Sequence, residues 1–196
     1  MGFIIEDGKG SGKKVEVDNN NRLSVKAYSE SIQHVMSHQE GQAYQAIGTA
    51  TLENGITPVL HITNNSADRD LVVTYIRHQI VSNSGGTAFP NVSNYFRLAI
   101  GRTYVSGGEE VTPVNINTNS GNEADVTAYN SGSVLEGTAI EIDRWYTKEA
   151  GDMNVFNKEG SLIIKRTGSL EMSYVGDHTD GIIYARISFI MIHPHD

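Results

Sequence analysis

β-Branched side chains dominate this sequence and constrain its fold more than any other feature. Val and Ile together number 35 against 8 Leu, and 14 Thr and 9 Tyr add further strand-forming residues. Branching at Cβ restricts χ1 and disfavours helix, but it suits a pleated sheet. Because 20 Gly and 16 Asn tolerate the positive φ of tight turns, the sequence predicts an all-β chain with many short connections.

Apolar or alternating runs between turn clusters mark the individual strands. About eight to ten such runs occur, and their turn signals are too frequent for βαβ units. Long polar loops between them favour a jelly-roll-like antiparallel β-sandwich over a small up-and-down barrel. Within "AIGTATLENGITPVLHITNN" the Asn54-Gly55 dipeptide predicts a β-hairpin turn.

The longest run, "DLVVTYIRHQIVS", is apolar on both sides. Strict alternation assigns its side chains to two faces, with Leu71, Val73, Tyr75 and Val81 on one and Val72, Ile76 and Ile80 on the other. We therefore expect a strand that is central in a sandwich or covered by a neighbouring subunit.

The N-terminal stretch "DGKGSGKK" resembles a phosphate-binding loop only superficially. Three residues separate Gly8 from Gly12, where a phosphate loop needs four, and Lys13 is followed by Lys14 instead of Ser or Thr. The following residues are β-patterned, so no helix opens there. The sequence instead predicts an extended N-terminal arm over residues 1–22 and one β-sandwich domain over 23–196. One short helix is expected, over Ser29–Glu40.

Composition also excludes several classes of partner and chemistry. The chain has no Cys, which excludes thiolate catalysis and disulfides, and its formal charge of −8 disfavours direct nucleic-acid binding. No apolar run is long enough for a signal peptide or a membrane span, so we expect no secretion and no membrane partner.

Three sets of polar residues are candidates for metal binding or catalysis. His34 and His38 have the spacing of zinc ligands on a helix, but no third ligand is evident. Glu141 and Asp143 would share one face of a strand, about 7 Å apart, as paired hydrolytic carboxylates can. The stretch "NINTNSGNEAD", residues 115–125, scatters oxygen ligands without the spacing of a calcium loop. None specifies a site, so we expect no enzyme activity and no cofactor.

Two N-terminal segments resemble those of virion structural proteins of tailed bacteriophages. These are "EGQAYQAIGTATL" followed by "ITNNSADRDLVVTYI", and the arm "IIEDGKGSGKKVEVDNNNRLSV". The likeness covers about the first 80 residues. It implies a β-sandwich subunit of a phage particle, foremost a capsid decoration (cement) protein assembled into the virion in the host cytoplasm. No catalytic residue carries over.

These expectations combine into one hypothesis, a homotrimer that stabilises the phage head. The arm would contact the major capsid protein through Lys9, Gly10, Gly12, Lys13 and Lys14. The body would associate with other copies through Val73, Tyr75, Arg77, Tyr184 and Arg186. The alternative is a tail, baseplate or fibre-associated β-sandwich that binds a receptor or sugar, with Trp145 and Tyr146 as the stacking residues.

Overall fold

The computed structural model describes residues 34–81, 94–146, 153–179 and 181–194. Within these ranges the chain forms a five-residue π-helical turn, Val35–Gln39, and a series of strands. The strands are β1 (Ala43–Thr51), β2 (Gly55–Asn64), β3 (Asp70–Val81), β4 (Tyr95–Ile100), β5 (Thr103–Ser106), β6 (Val114–Asn115), β7 (Val126–Asn130), β8 (Val134–Glu136), β9 (Ile140–Tyr146), β10 (Met153–Ile164), β11 (Ser169–Gly176) and β12 (Ile182–Ile192). The all-β prediction with at most one short helix is confirmed.

The strands form two packed antiparallel sheets. Sheet A has the order β10-β3-β12-β1-β6, sheet B has the order β7-β2-β11-β4-β9, and β5 pairs with β8 in a separate two-stranded ribbon. Among the eight long strands, β1 to β4 alternate between the sheets, and so do β9 to β12. This alternation and the orders β10-β3-β12-β1 and β9-β4-β11-β2 are those of a jelly roll, so the predicted sandwich class is correct.

The core lies between the two sheets and is built from alternate residues of their inner faces. Sheet A contributes aliphatic and aromatic side chains such as Ile76, Ile187 and Phe189, and sheet B contributes Phe96 and Leu170. All five are 0% exposed. The period-2 pattern of the sequence thus supplies a continuous apolar layer from both sheets.

A β-bulge in β3 overturns the predicted division of its faces. Val73 pairs with Phe189 and Tyr75 with Ser188, so Thr74 is an extra residue in the ladder. Leu71 and Val73 consequently face the core, whereas Tyr75 and Val81 lie on the outer side of sheet A. A bulge shifts the alternation by one residue, which strict alternation along the sequence could not anticipate.

The predicted Asn54-Gly55 hairpin is also wrong. Gly55 does have a positive φ, of 101°. However, β1 pairs with β12 and β6 in sheet A, whereas β2 pairs with β11 and β7 in sheet B. The turn therefore joins the two sheets, as a jelly-roll connection must, because a local turn signal does not determine which strands pair.

The segment between β4 and β9 covers the outer face of sheet B. Arg102 donates from Nη2 to the Leu135 carbonyl at 2.6 Å and from Nη1 to the Glu171 carboxylate at 3.3 Å. Leu135 is 7% exposed, and Tyr104 of the ribbon stacks on Tyr129 with ring centroids 3.6 Å apart. The β5/β8 ribbon is thereby fixed to the sandwich.

Candidate functional site

Four of the five predicted oligomer-contact residues lie on one surface. Tyr75 and Arg77 of β3, and Tyr184 and Arg186 of β12, all point away from the core on the outer side of sheet A. The fifth, Val73, is 0% exposed and part of the core. Val73 is therefore excluded as a contact residue because of the bulge that follows it.

We call this surface the open face, and it is formed by the outward residues of four strands. They are Met153, Val155 and Asn157 of β10, Tyr75, Arg77, Gln79 and Val81 of β3, Ile182, Tyr184, Arg186 and Ser188 of β12, and Gln45, Ile47 and Thr49 of β1. A shallow depression of about 400 Å³ lies between β1, β3 and β12 on this face. It offers a broad surface and not an enclosed pocket.

Apolar side chains of the open face remain accessible to solvent. Ile47, Met153, Val155, Tyr184 and Val81 are each between 44% and 51% exposed. They lie on four neighbouring strands, and the strand register places Arg77, Arg186 and Gln79 between several of them, so the face mixes exposed apolar and cationic groups. Several exposed apolar residues on one face of a sheet indicate an interaction site more than single apolar residues spread over a surface do.

Two arginines lie at the centre of the open face. Arg77 and Arg186 are directly paired across β3 and β12, so their like charges lie on the same side of the sheet. The Arg186 guanidinium lies 5.4 Å from the centre of the Tyr75 ring. The buried Arg186 Nε has no hydrogen-bond partner in the described structure. The described residues of the open face include no Asp or Glu to neutralise this pair.

The other end of the outer side of sheet A is covered by the π-helical turn. Met36 packs on Ala43, Val72 and Ile190, which are each no more than 4% exposed. The open face therefore begins where this cover ends.

The asparagine-rich stretch considered above as a calcium loop, residues 115–125, holds this turn in place. Asn117 donates from Nδ2 to the Ser37 carbonyl at 2.9 Å, and Asn122 donates to the Glu40 carbonyl at 2.9 Å. Asn115 Nδ2 donates to the Gly41 carbonyl at 2.8 Å, while its Oδ1 accepts from the Asn117 backbone. These internal hydrogen bonds give the side-chain amides a structural role.

Trp145 and Tyr146 do not form a joint sugar platform. Trp145 stacks on Phe156 at the edge of the core, with ring centroids 4.3 Å apart. Tyr146 points to the outer side of sheet B, is 58% exposed and lies 5.8 Å from the ring of Tyr95. Neighbouring strand residues face opposite ways, so the two aromatic rings cannot contact the same sugar.

Glu141 and Asp143 are not a carboxylate pair either. A register shift at Ile142 pairs Asp143 with Leu98 and Glu141 with Ala99, and these partners face opposite sides of sheet B. Glu141 accepts from Arg144 at 2.7 Å, and this hydrogen bond holds the Glu141 pKa below its usual value. Asp143 pairs with Lys158. Each carboxylate is neutralised by its own cation.

A buried ionic cluster lies beneath the β5/β8 ribbon, and sequence reasoning missed it. Glu171 is 1% exposed, its carboxylate accepts from Arg97 at 2.7 Å and from Arg102 at 3.3 Å, and Ser173 donates to it. His61 contacts the Arg102 carbonyl at 3.2 Å, and burial lowers its pKa. The only sequence signal was a charged residue in the apolar run "SLEMSYV". The three groups that donate to the Glu171 carboxylate indicate a structural link between the ribbon and sheet B.

A second buried polar residue, His78, lies in the core among aromatic rings. Its ring is 3.8 Å from that of Phe96, 5.7 Å from that of Trp145 and 5.8 Å from that of Phe156. Neither ring nitrogen has a hydrogen-bond partner in the described structure. Burial lowers the His78 pKa to about 3, so the side chain is neutral at physiological pH.

The remaining sequence candidates contribute no assembled site. His34 and His38 stack with centroids 4.5 Å apart, and the described residues contain no group of three or more side chains placed to hold a metal. The proposed arm contacts Lys9, Gly10, Gly12, Lys13 and Lys14 lie outside the described residues, as does the first part of the predicted helix, residues 29–33. No helix in the described ranges is long and apolar enough to cross a bilayer.

Comparison with known proteins assigns no family. No protein-family model matches the chain, and no curated protein shows significant similarity to it.

Proposed function

We propose that this chain is a structural protein of a tailed-bacteriophage virion, a capsid decoration protein that binds the head shell as an oligomer and stabilises it. The open face is the observation that carries the proposal. It exposes several apolar side chains around two arginines that no described carboxylate of this face neutralises, which a chain that functions alone has no evident reason to retain. Covering such a face with another protein removes apolar surface from water.

The fold and the N-terminal sequence support the same proposal. Jelly rolls are common among viral capsid domains, although the fold also occurs in lectins and cupins and does not by itself establish a function. The resemblance of the first part of the chain to phage virion proteins favours the capsid role among these. The proposal includes no catalytic activity, since the nominated carboxylates Glu141 and Asp143 are each held in an ion pair.

Oligomerisation would allow several individually weak contacts to hold the protein on the shell. In a homotrimer three N-terminal arms, each carrying Lys9, Lys13 and Lys14, would meet carboxylates of the major capsid protein. After one arm binds, the others act at high effective concentration, so overall affinity exceeds that of any single arm.

Heat resistance of the particle tests the proposal. Shells lacking the protein are mixed with the purified chain, and release of their contents is followed during heating. We expect bound protein to raise the release temperature. A protein lacking residues 1–22 serves as the control and should bind more weakly. Absence of binding, together with an unchanged release temperature, rejects the decoration role.

A tail or fibre protein that binds sugar is the second candidate. It is favoured by the exposed ring of Tyr146 beside Tyr95, with the Arg144 guanidinium 4.0 Å from the centre of the Tyr95 ring. This candidate predicts that the isolated protein binds glycans or host cells and that Tyr146→Ala abolishes the binding. A screen against host surface glycans without any binding would remove it.

A further inference from the structure

The arginine pair on the open face requires anionic groups from outside the described face. Arg77 and Arg186 lie directly opposite each other, and like charges at such positions destabilise a sheet. The Tyr75 ring near Arg186 offers only a weak electrostatic contact. Guanidinium groups bind carboxylates well because their paired N–H donors match the two oxygens.

The apolar surroundings indicate that the anions belong to a protein surface. Ile47, Val155 and Tyr184 flank the arginines and are nearly half exposed. A small free anion would neutralise the arginines but would leave these side chains in water. A protein surface that carries both aliphatic side chains and carboxylates satisfies both requirements.

The β5/β8 ribbon of this same chain has that composition. Val105 and Val134 are 50% and 55% exposed on its outward side. Glu136 follows Val134 on β8, and Glu109 and Glu110 follow β5, all three being exposed. None of the three forms a salt bridge with another described residue. The ribbon therefore presents aliphatic side chains and unneutralised carboxylates together.

We propose that the β5/β8 ribbon of one copy docks on the open face of the next copy. The inference rests on the proposed function in assuming self-association, and it adds which surfaces meet. The ribbon lies over the outer face of sheet B, whereas the open face is the outer side of sheet A. Each copy can therefore use both surfaces at once, in a head-to-tail contact that gives a ring where the rotation between copies closes and an open chain where it does not.

A symmetric contact between two open faces fits the charges less well. It would bring four arginines, two Arg77 and two Arg186, into one interface that contains no described carboxylate. Like charges brought together in an interface disfavour that pairing. The head-to-tail arrangement instead places arginines against glutamates.

Charge reversal tests the contact, with association measured by analytical ultracentrifugation of the full chain. Arg186→Glu and Glu136→Arg should each weaken self-association by more than about ten-fold, and the double variant should recover most of it. Arg77→Glu, at the neighbouring position, should act like Arg186→Glu. Arg166→Glu and Glu53→Arg, at exposed positions outside the strands that belong to neither surface, are the matched controls and should associate like the wild type.

Three results would overturn the inference. These are a wild-type chain that stays monomeric at every concentration, a Glu136→Arg variant that associates normally, and a double variant that recovers nothing although its circular dichroism is native.

Shell binding is measured separately by co-sedimentation. Normal association without shell binding would reject only the decoration role. Arginine variants that lose shell binding but still associate would assign the open face to the shell and contradict the docking of copies.

Discussion

At the scale of single residues, His78 combines a polar side chain with a nonpolar environment. Its ring lies among Phe96, Trp145 and Phe156, and its two nitrogens have no described partner. A charged imidazolium in such a site would lose its hydration without compensation. The folded state therefore holds His78 in the neutral form, with a pKa of about 3.

This environment predicts that the protein loses stability in mild acid. In the unfolded chain the His78 pKa returns to about 6.5, so between pH 6.5 and about 3 the unfolded state binds the proton and the folded state does not. His78 should contribute its full stabilisation above pH 6.5. At pH 5, protonation of His78 in the unfolded state should lower the free energy of unfolding by about 2 kcal/mol.

Urea unfolding of the wild type and of His78→Phe, each at pH 7.5 and pH 5, measures this loss. The variant should lose less stability on acidification. Part of the loss should remain in the variant, because burial also lowers the pKa of His61. An identical loss in both proteins would show that His78 does not titrate as inferred.

At the scale of elements, the Glu171 cluster fixes the β5/β8 ribbon to sheet B. Removing the carboxylate charge leaves Arg97 and Arg102 without their buried partner. We expect Glu171→Gln to lower the free energy of unfolding by about 3–5 kcal/mol. Glu141→Gln is the control, because the Glu141–Arg144 pair is exposed and should contribute little. Equal effects of the two substitutions on urea unfolding would contradict the structural role of the cluster.

Close approach between β1 and β2 gives a second prediction at this scale. A Cβ added at Gly48 would lie 2.5 Å from the Val59 carbonyl oxygen, whereas one added at Gly121 would meet no atom within 4 Å. Gly48→Ala should therefore destabilise the protein by about 1–3 kcal/mol. Gly121→Ala is the matched control and should melt near the wild-type temperature. A Gly48→Ala melting temperature at or above that of the wild type would show that β1 and β2 can move apart at no cost to accommodate the added Cβ.

Element by element, the sequence predicts what depends on neighbours along the chain and misses what depends on distant contacts. β-Branching and alternation were sufficient to predict the sandwich class, but the sequence predicted eight to ten strands and the described residues form twelve, including the short β7 and β8. The shift at Thr74 and the separation of Glu141 from Asp143 arise from strand register, which local patterns do not encode. The Glu171 cluster joins Arg97 and Arg102 to a residue about 70 positions later, and such contacts exist only once β4, β5 and β11 are assembled.

At the scale of the whole molecule, the charge of the open face is opposite in sign to the net charge of the chain. The chain carries a formal charge of −8, yet the described residues of this face bring two arginines and no carboxylate. That Tyr75, Arg77, Tyr184 and Arg186 lie on one surface was predictable because they alternate along two strands. The β5/β8 ribbon, which we propose as the partner of this face, could not be predicted from the sequence, because the position of the ribbon depends on tertiary contacts.

Charge complementarity predicts that self-association depends on salt. Raising the ionic strength from about 0.05 to 0.5 M screens the attraction between the arginines and the glutamates as two copies approach, so the association constant should fall several-fold. Sedimentation equilibrium at the two salt concentrations measures this change. Association that is unchanged or stronger in high salt would show that apolar contact alone holds the copies together.

Imaging of the phage particles on which this chain is proposed to assemble tests the central claim most directly. We predict oligomers on the outer surface of the head shell, with the open face of each copy covered by the β5/β8 ribbon of its neighbour. Particles that contain no copy of the chain, or copies confined to the tail, would contradict the decoration role.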